Sequence, residues 1–264
     1  MYTHNLDPIL FEIGYVSIRW YSLAYVFGIL IGWWYGKKIL IYKFKILNNN
    51  LNSEKFDDLI TSIIISIIIG GRLGYVLFYN FEYYFYNPIE VFKIWQGGMS
   101  FHGALIGVIV GTYLFSKKRN LNTFIFLDVI ACVSPIGIFL GRIANFINGE
   151  LVGKVSDLYF SVVFPKIDMN PRHPSQLYEA FLEGLILFLI MNFLIYRKNY
   201  KTGYCSFLFL FFYGIFRIIS EFFREPDIQI GYFFNFLSMG SILSFFMVIV
   251  GLVMFLYLRK KNEI

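Results

Sequence analysis

Seven apolar runs constrain this chain more than any other feature: about 17–36, 57–79, 99–116, 121–141, 175–196, 203–222 and 237–258. A helix rises about 1.5 Å per residue, so roughly 20 apolar residues cross a hydrocarbon layer about 30 Å thick. Of the 264 residues, 58% are hydrophobic and only 15% are charged. A soluble domain carries about 45–50% apolar and roughly 25% charged residues. One core of this length cannot hide so much apolar surface, so lipid must cover part of it. The expected fold is all-α, a polytopic membrane protein with seven transmembrane helices. The 32 Phe suit hydrocarbon, and the 20 Tyr suit the interfaces where a ring meets water.

Basic clusters orient the spans. Lys37, Lys38, Lys43, Lys45 and Lys55 follow the first run; Lys117, Lys118 and Arg119 follow the third. Arg197, Lys198 and Lys201 follow the fifth, and Arg259, Lys260 and Lys261 follow the last. Seven spans put all these clusters on one face, and the positive-inside rule makes that face cytoplasmic. The N-terminus is then outside and the C-terminus inside. Two longer outer segments remain, about 80–98 and 142–174. The second holds Gly, Asn, Asp, Pro and His, as a small folded cap would. The chain reads as a single transmembrane domain, 1–264.

The net charge of +6 does not point to nucleic acid, because the basic residues mark the ends of apolar runs and no nucleic-acid module is present. Cys132 and Cys205 lie inside apolar runs, without metal-type spacing, as inert buried thiols. Residues 1–18 lack the basic start and compact apolar stretch of a cleavable signal, so the first span is expected to direct its own export.

A charge within a span costs roughly 2.5–3.5 kcal/mol on insertion scales, so it must face protein, water or ligand. Arg72, His102 and Arg217 fall in three different runs and Arg142 at the outer end of a fourth, all at similar depth near the outer headgroup level, with Glu221 one turn beyond Arg217. Each has a plain structural explanation. Arg217 and Glu221 can form an i, i+4 ion pair. Arg142 can snorkel, His102 can be an interfacial hydrogen-bonding group, and Arg72 a packing anchor. Taken together, three guanidinium groups in a half-buried cavity suit a phosphate, whose oxygens match their planar fork. At this depth the obvious phosphate is a phospholipid headgroup. The segment Gly141 to Gly153 adds Asn145, Asn148 and Glu150 between glycines, a polar rim at the mouth of such a cavity.

That segment, Gly141-Arg142-Ile143-Ala144-Asn145-Phe146-Ile147-Asn148-Gly149-Glu150-Leu151-Val152-Gly153, closely resembles the signature of the prolipoprotein diacylglyceryl transferases. Gly70 to Tyr75, Gly97 to Gly103, Arg172 to Glu179 and Phe216 to Arg224 resemble the family's other blocks, in order and spacing along nearly the whole chain. The resemblance implies an enzyme of the bacterial inner membrane with its site toward the outer face. Such enzymes move the diacylglyceryl group of phosphatidylglycerol to the lipobox cysteine thiol of a prolipoprotein, forming a thioether and releasing glycerol phosphate. It implies Arg142 and Arg217 as the essential arginines and His102 as base, the alternative for His102 being positioning. Tyr21, Asn145, Glu150, Gly153, Tyr213 and Glu221 match further positions the family uses, and Arg72 would support them. Ala104 departs from an expected glycine, and the stretch between Phe164 and Arg172 is short for the family.

The expected partners are phosphatidylglycerol, prolipoprotein signal peptides and membrane lipids, with no nucleic acid. No metal cluster is visible in the sequence and displacement at a saturated carbon gains nothing from an electron sink, so no cofactor is expected. A transporter would instead show inverted halves and a midplane site. A non-catalytic lipid-binding factor would need the arginines but not His102.

Overall fold

A computed structural model describes residues 2–14, 16–45, 51–198, 200–225 and 237–261. Strands β1 (Tyr2–Thr3), β2 (Ile9–Ile13) and β3 (Val16–Arg19) precede helices α1 (Trp20–Ile39), α2 (Ser53–Phe78), α3 (Phe81–Tyr86), α4 (Phe101–Lys118) and α5 (Thr123–Asn148). Strands β4 (Val162–Val163) and β5 (Pro171–Arg172) lead into α6 (Ser175–Glu179), which continues through a π-helical stretch, Ala180–Ile186, into α7 (Leu187–Ile195). Helices α8 (Tyr204–Glu221) and α9 (Met239–Lys261) follow, and a π-helical turn, Leu40–Phe44, and two 3-10 turns, Pro88–Phe92 and Ile94–Gln96, complete the described order.

All seven apolar runs are helical. In lipid no water is available to the backbone, and a helix satisfies its own N–H and C=O groups. Five described helices are long and apolar enough to cross a membrane: α2, α5, Ser175–Ile195, α8 and α9. Helices α1 and α4, of 20 and 18 residues, are diluted by Trp, Tyr, Gly and terminal Lys. The chain is a multi-pass, largely helical membrane protein. Its strands were not anticipated, because each is only two to five residues long. The sequence also placed the end of the fourth run near residue 141, whereas α5 continues to Asn148. Arg142 and Asn145 therefore stand on its last turns rather than in a loop.

The chain divides into two compact units. One contains β1 to β5, most of α1, α5 from Asp128 onward, and α6 to α9. Its strands build the cap: β1 runs parallel to β4, which pairs antiparallel with β5. Beneath them Val152, Val162 and Phe164 form a small apolar core against Phe146. His4 ties the N-terminal strand to this core, its Nε2 2.7 Å from the Phe146 carbonyl oxygen. At the opposite end of α5, buried Asp128 caps α8 from outside that helix. It accepts hydrogen bonds from Gly203 N (2.5 Å), Ser206 N (2.7 Å), Ser206 Oγ (2.6 Å) and the Tyr200 hydroxyl. These donors include otherwise orphaned amides of a helix N-terminus.

The other unit holds α2, α3 and α4. Its two long helices meet along a seam of small residues, the arrangement that lets membrane helices approach closely. A Cβ added at Gly107 would lie 2.2 Å from the Ser66 carbonyl oxygen, so the seam has no room there for a methyl group. Gly107→Ala is expected to cost about 1–3 kcal/mol through forced separation of α2 and α4. Thermal unfolding of the detergent-purified variant checks this, and an unchanged midpoint counts against the seam.

Candidate active site

Four helical segments of the first unit supply the charged cluster. From α5, Arg142 reaches Glu179 with Nη1 (2.7 Å to Oε2) and Glu183 with Nη2 (3.1 Å to Oε2). From α8, Arg217 brings Nη1 to the same two carboxylates, 3.1 Å from Glu179 Oε1 and 3.4 Å from Glu183 Oε1, and pairs Nη2 with Glu221. Glu221 also approaches Arg224 at 3.4 Å and accepts from Ser238 Oγ at 2.9 Å. The Glu179 and Glu183 side chains are 0% exposed, Arg217 is 7% and Arg142 15%. Two arginines from separate helices thus converge on one pair of buried acids.

Local sequence explains the convergence. Arg142 and Asn145 are one turn apart on α5, as are Arg217 and Glu221 on α8. Glu179 ends α6 and Glu183 lies four residues on, in the π-helical stretch. A π turn is wide and usually marks function or strain. Phe139 presses here: a Cβ on Gly184 would lie 2.6 Å from the Phe139 Cβ. Buried Tyr213 on α8 is within electrostatic reach of Arg142, Arg217 and both acids.

A polar rim follows α5. Asn145 Nδ2 donates to Glu150 Oε1 at 2.7 Å and Asn148 Nδ2 to the same oxygen at 3.2 Å. The turn between them and the cap has left-handed backbone at Gly149 (φ 68°) and at Leu151 (φ 54°), the latter a strained conformation for a branched residue. Gln176 Nε2 and Ser175 Oγ hold this turn through the carbonyl oxygens of Glu150 (2.5 Å) and Leu151 (3.0 Å). Gly153 then lies between two other chain segments. Its N–H donates to the His173 carbonyl oxygen (3.0 Å), its own carbonyl accepts from Arg172 Nη1 (3.0 Å), and it bridges Arg224. Arg172 also pairs with Asp168 at 2.6 Å and Glu225 at 3.1 Å. The Arg172 guanidinium holds the Asp168 carboxyl down at about 2. The short segment before Arg172 is thereby closed on itself. Burial, helped by Lys154, pushes the His173 imidazole below its usual value.

The remaining expected residues stand on other helices. Tyr21 on α1 has its hydroxyl 3.2 Å from that of Tyr25, and Tyr25 is within electrostatic reach of Arg142 and Glu150. His102 and Arg72 belong to the second unit. His102 is buried in the first turn of α4, behind the Ser100 cap whose Oγ accepts from Gly103 N at 3.2 Å. Arg72 was expected to share in a phosphate site, but its guanidinium is occupied by backbone. It donates to the carbonyl oxygens of Glu90 (2.7 Å), Val91 (2.8 Å), Lys93 (3.3 Å), Gly97 (2.5 Å) and Gly98 (3.2 Å), and lies over the Tyr84 ring. It organises the 90–98 segment, most of it 3-10 helical.

Sequence reasoning did not single out Glu179, Glu183, Arg224 or Tyr25. Glu179 and Glu183 had a usable signal: two carboxylates one turn apart in an apolar run must face something polar.

The model of the family described as prolipoprotein diacylglyceryl transferase matches residues 8–257. A phosphatidylglycerol–prolipoprotein diacylglyceryl transferase of Rickettsia bellii is 53% identical over 261 residues, covering 98% of this chain and 96% of the relative. The protein of the same name in Rickettsia typhi is 53% identical over 259 residues, covering 97% and 98% respectively. With a match that runs nearly end to end, this chain belongs to the prolipoprotein diacylglyceryl transferase family.

Proposed function

We propose that this enzyme transfers the diacylglyceryl group from phosphatidylglycerol to the lipobox cysteine of prolipoproteins, the first step of lipoprotein maturation. The observation that carries the mechanism is the meeting of Arg142 and Arg217, from different helices, on the same two buried carboxylates. Their guanidinium forks suit the phosphodiester of the lipid. In the reaction a thiolate sulfur attacks the glyceryl carbon that bears the phosphate ester. The S–C bond forms, the C–O bond breaks, and the electron pair leaves with glycerol phosphate. The thiol proton passes to a base. Arg142 and Arg217 stabilise the charge that grows on the departing phosphate. Asn145, Glu150 and Gly153 shape the mouth of the site, with Tyr21, Tyr213 and Glu221 in support.

The reading extends to topology. Helices α1 and α4 join the five more apolar helices as spans, giving seven, with the N-terminus outside and the C-terminus in the cytoplasm. The basic ends of α1, α4 and α9 favour this orientation. The protein then sits in the inner membrane with Arg142 and Arg217 near the outer headgroups. Phosphatidylglycerol enters sideways, its chains remaining in hydrocarbon, and a signal peptide presents its cysteine at the same depth.

Incubation of the purified protein with phosphatidylglycerol labelled in its acyl chains and a lipobox peptide tests the function. Label should move to the peptide cysteine; recovery only in free lipid overturns it. His102 is the proposed base, because a neutral imidazole can accept a proton and a free thiol, whose pKa lies near 8.5, is mostly protonated at neutral pH. His102→Gln should slow transfer about 100-fold or more near neutral pH. The loss should shrink as rising pH ionises the thiol directly, whereas a pH–rate profile parallel to the parent's assigns His102 to positioning.

A further inference from the structure

Among the described residues the charges of the cluster balance. Arg142, Arg217 and Arg224 contribute three cations, and Glu179, Glu183 and Glu221 contribute three carboxylates. A phosphodiester brings one more negative charge. In a site this dry an uncompensated charge is strongly disfavoured. Resting on the phosphate-clamp reading above, we propose that phosphatidylglycerol binds together with one proton, which the Glu179–Glu183 pair takes up, and that this pair is the counter-anion of the clamp at rest.

Geometry selects this pair over Glu221. Each of the two carboxylates touches both Arg142 and Arg217, so a phosphate seated between the guanidinium groups must displace or neutralise one of them. Glu221 instead has Arg224 and Ser238 as further partners. Neither Glu179 oxygen receives an aligned hydrogen bond from a described residue, although both lie at ion-pair distance from a guanidinium nitrogen. A carboxylate held by charge alone loses little geometry on protonation. Two acids one turn apart also share a proton more readily than either holds it alone. Among the described residues, the ionisable groups facing the pair are Arg142 from α5, Tyr213, Arg217 and Glu221 from α8, and Arg224 beyond it.

Calorimetric titration of the detergent-purified protein with dihexanoyl phosphatidylglycerol, in two buffers of different ionisation enthalpy, counts protons taken up per lipid. The parent should take up about one, and its apparent affinity should fall about tenfold per pH unit once both acids are ionised. Glu179→Gln and Glu183→Gln should each bind with proton uptake near zero and a flatter pH dependence, since the amide supplies neutrality in advance. Undiminished uptake in both Gln variants overturns the assignment to this pair. No uptake by the parent overturns the inference while leaving the clamp intact, provided Arg142→Ala and Arg217→Ala fail to bind the lipid. Parent-like binding by those two variants overturns the clamp itself, and the inference with it.

Discussion

Replacing Arg217 by Ala should lower diacylglyceryl transfer by about a thousandfold, and Arg142→Ala should do the same. On the proposed mechanism each substitution removes a donor fork from the place where phosphate charge grows. Arg217→Ala also leaves three carboxylates, Glu179, Glu183 and Glu221, with Arg142 and Arg224 as their remaining cations among the described residues. Breaking a buried ion pair by removing one partner costs about 3–5 kcal/mol. Arg217→Ala should therefore unfold at a visibly lower temperature than the parent. Arg142→Ala removes partners from Glu179 and Glu183 but leaves Glu221 served, so its loss of stability should be smaller. Initial rates with labelled lipid, alongside thermal unfolding in one detergent, separate the two effects. Near-parent rates in either variant refute the phosphate role.

Gly153→Ala should be nearly as damaging, for reasons of space rather than charge. A Cβ at this position would lie 2.4 Å from the His173 carbonyl oxygen and 2.6 Å from that of Phe223. Both are backbone atoms, so neither can swing aside. The Gly153 N–H to His173 bond, the Lys154 N–H to Phe223 bond (2.9 Å) and the Glu225 N–H to Val152 bond (3.2 Å) would have to lengthen together. These bonds lace the cap to the segment that carries Arg224. Transfer should fall about 100-fold, in proportion to a catalytic geometry displaced by about 1 Å. Hydrogen exchange should rise at 152–155 and 171–173 while the long helices stay protected. Parent-like activity would show that the backbone around Gly153 can part without consequence.

The helical architecture was legible because lipid imposes it: each of the seven apolar runs is a helix, displaced by a few residues at its ends. The end of α5 was misplaced because Arg142, Asn145 and Asn148 look like loop residues, and only their partners make them tolerable on a helix. The short strands carry no periodic pattern at two to five residues, so the sequence offered nothing to find. Arg217 could be selected as a cation out of place in an apolar run, and Arg142 as one at the outer end of another. Arg72 met the same criterion and yet serves five backbone carbonyls. A sequence shows that a buried charge needs partners without showing whether they are backbone, acid or ligand. Asp128 and Glu179 illustrate the same limit from the acidic side. Both are carboxylates in apolar runs, but Asp128 finds four hydrogen-bond donors around the start of α8 and Glu179 finds two arginines.

The most direct test is the rate at which purified Arg142→Lys and Arg217→Lys variants move labelled diacylglyceryl from phosphatidylglycerol to a lipobox peptide. Lysine preserves each positive charge, and so most of the balance with Glu179 and Glu183, but it cannot present two parallel donors. If the paired forks grip the lipid phosphate, both variants should remain folded while transfer falls about 100-fold or more. Folded Lys variants turning over within about threefold of the parent would mean that positive charge alone suffices and that the guanidinium clamp is not the basis of catalysis.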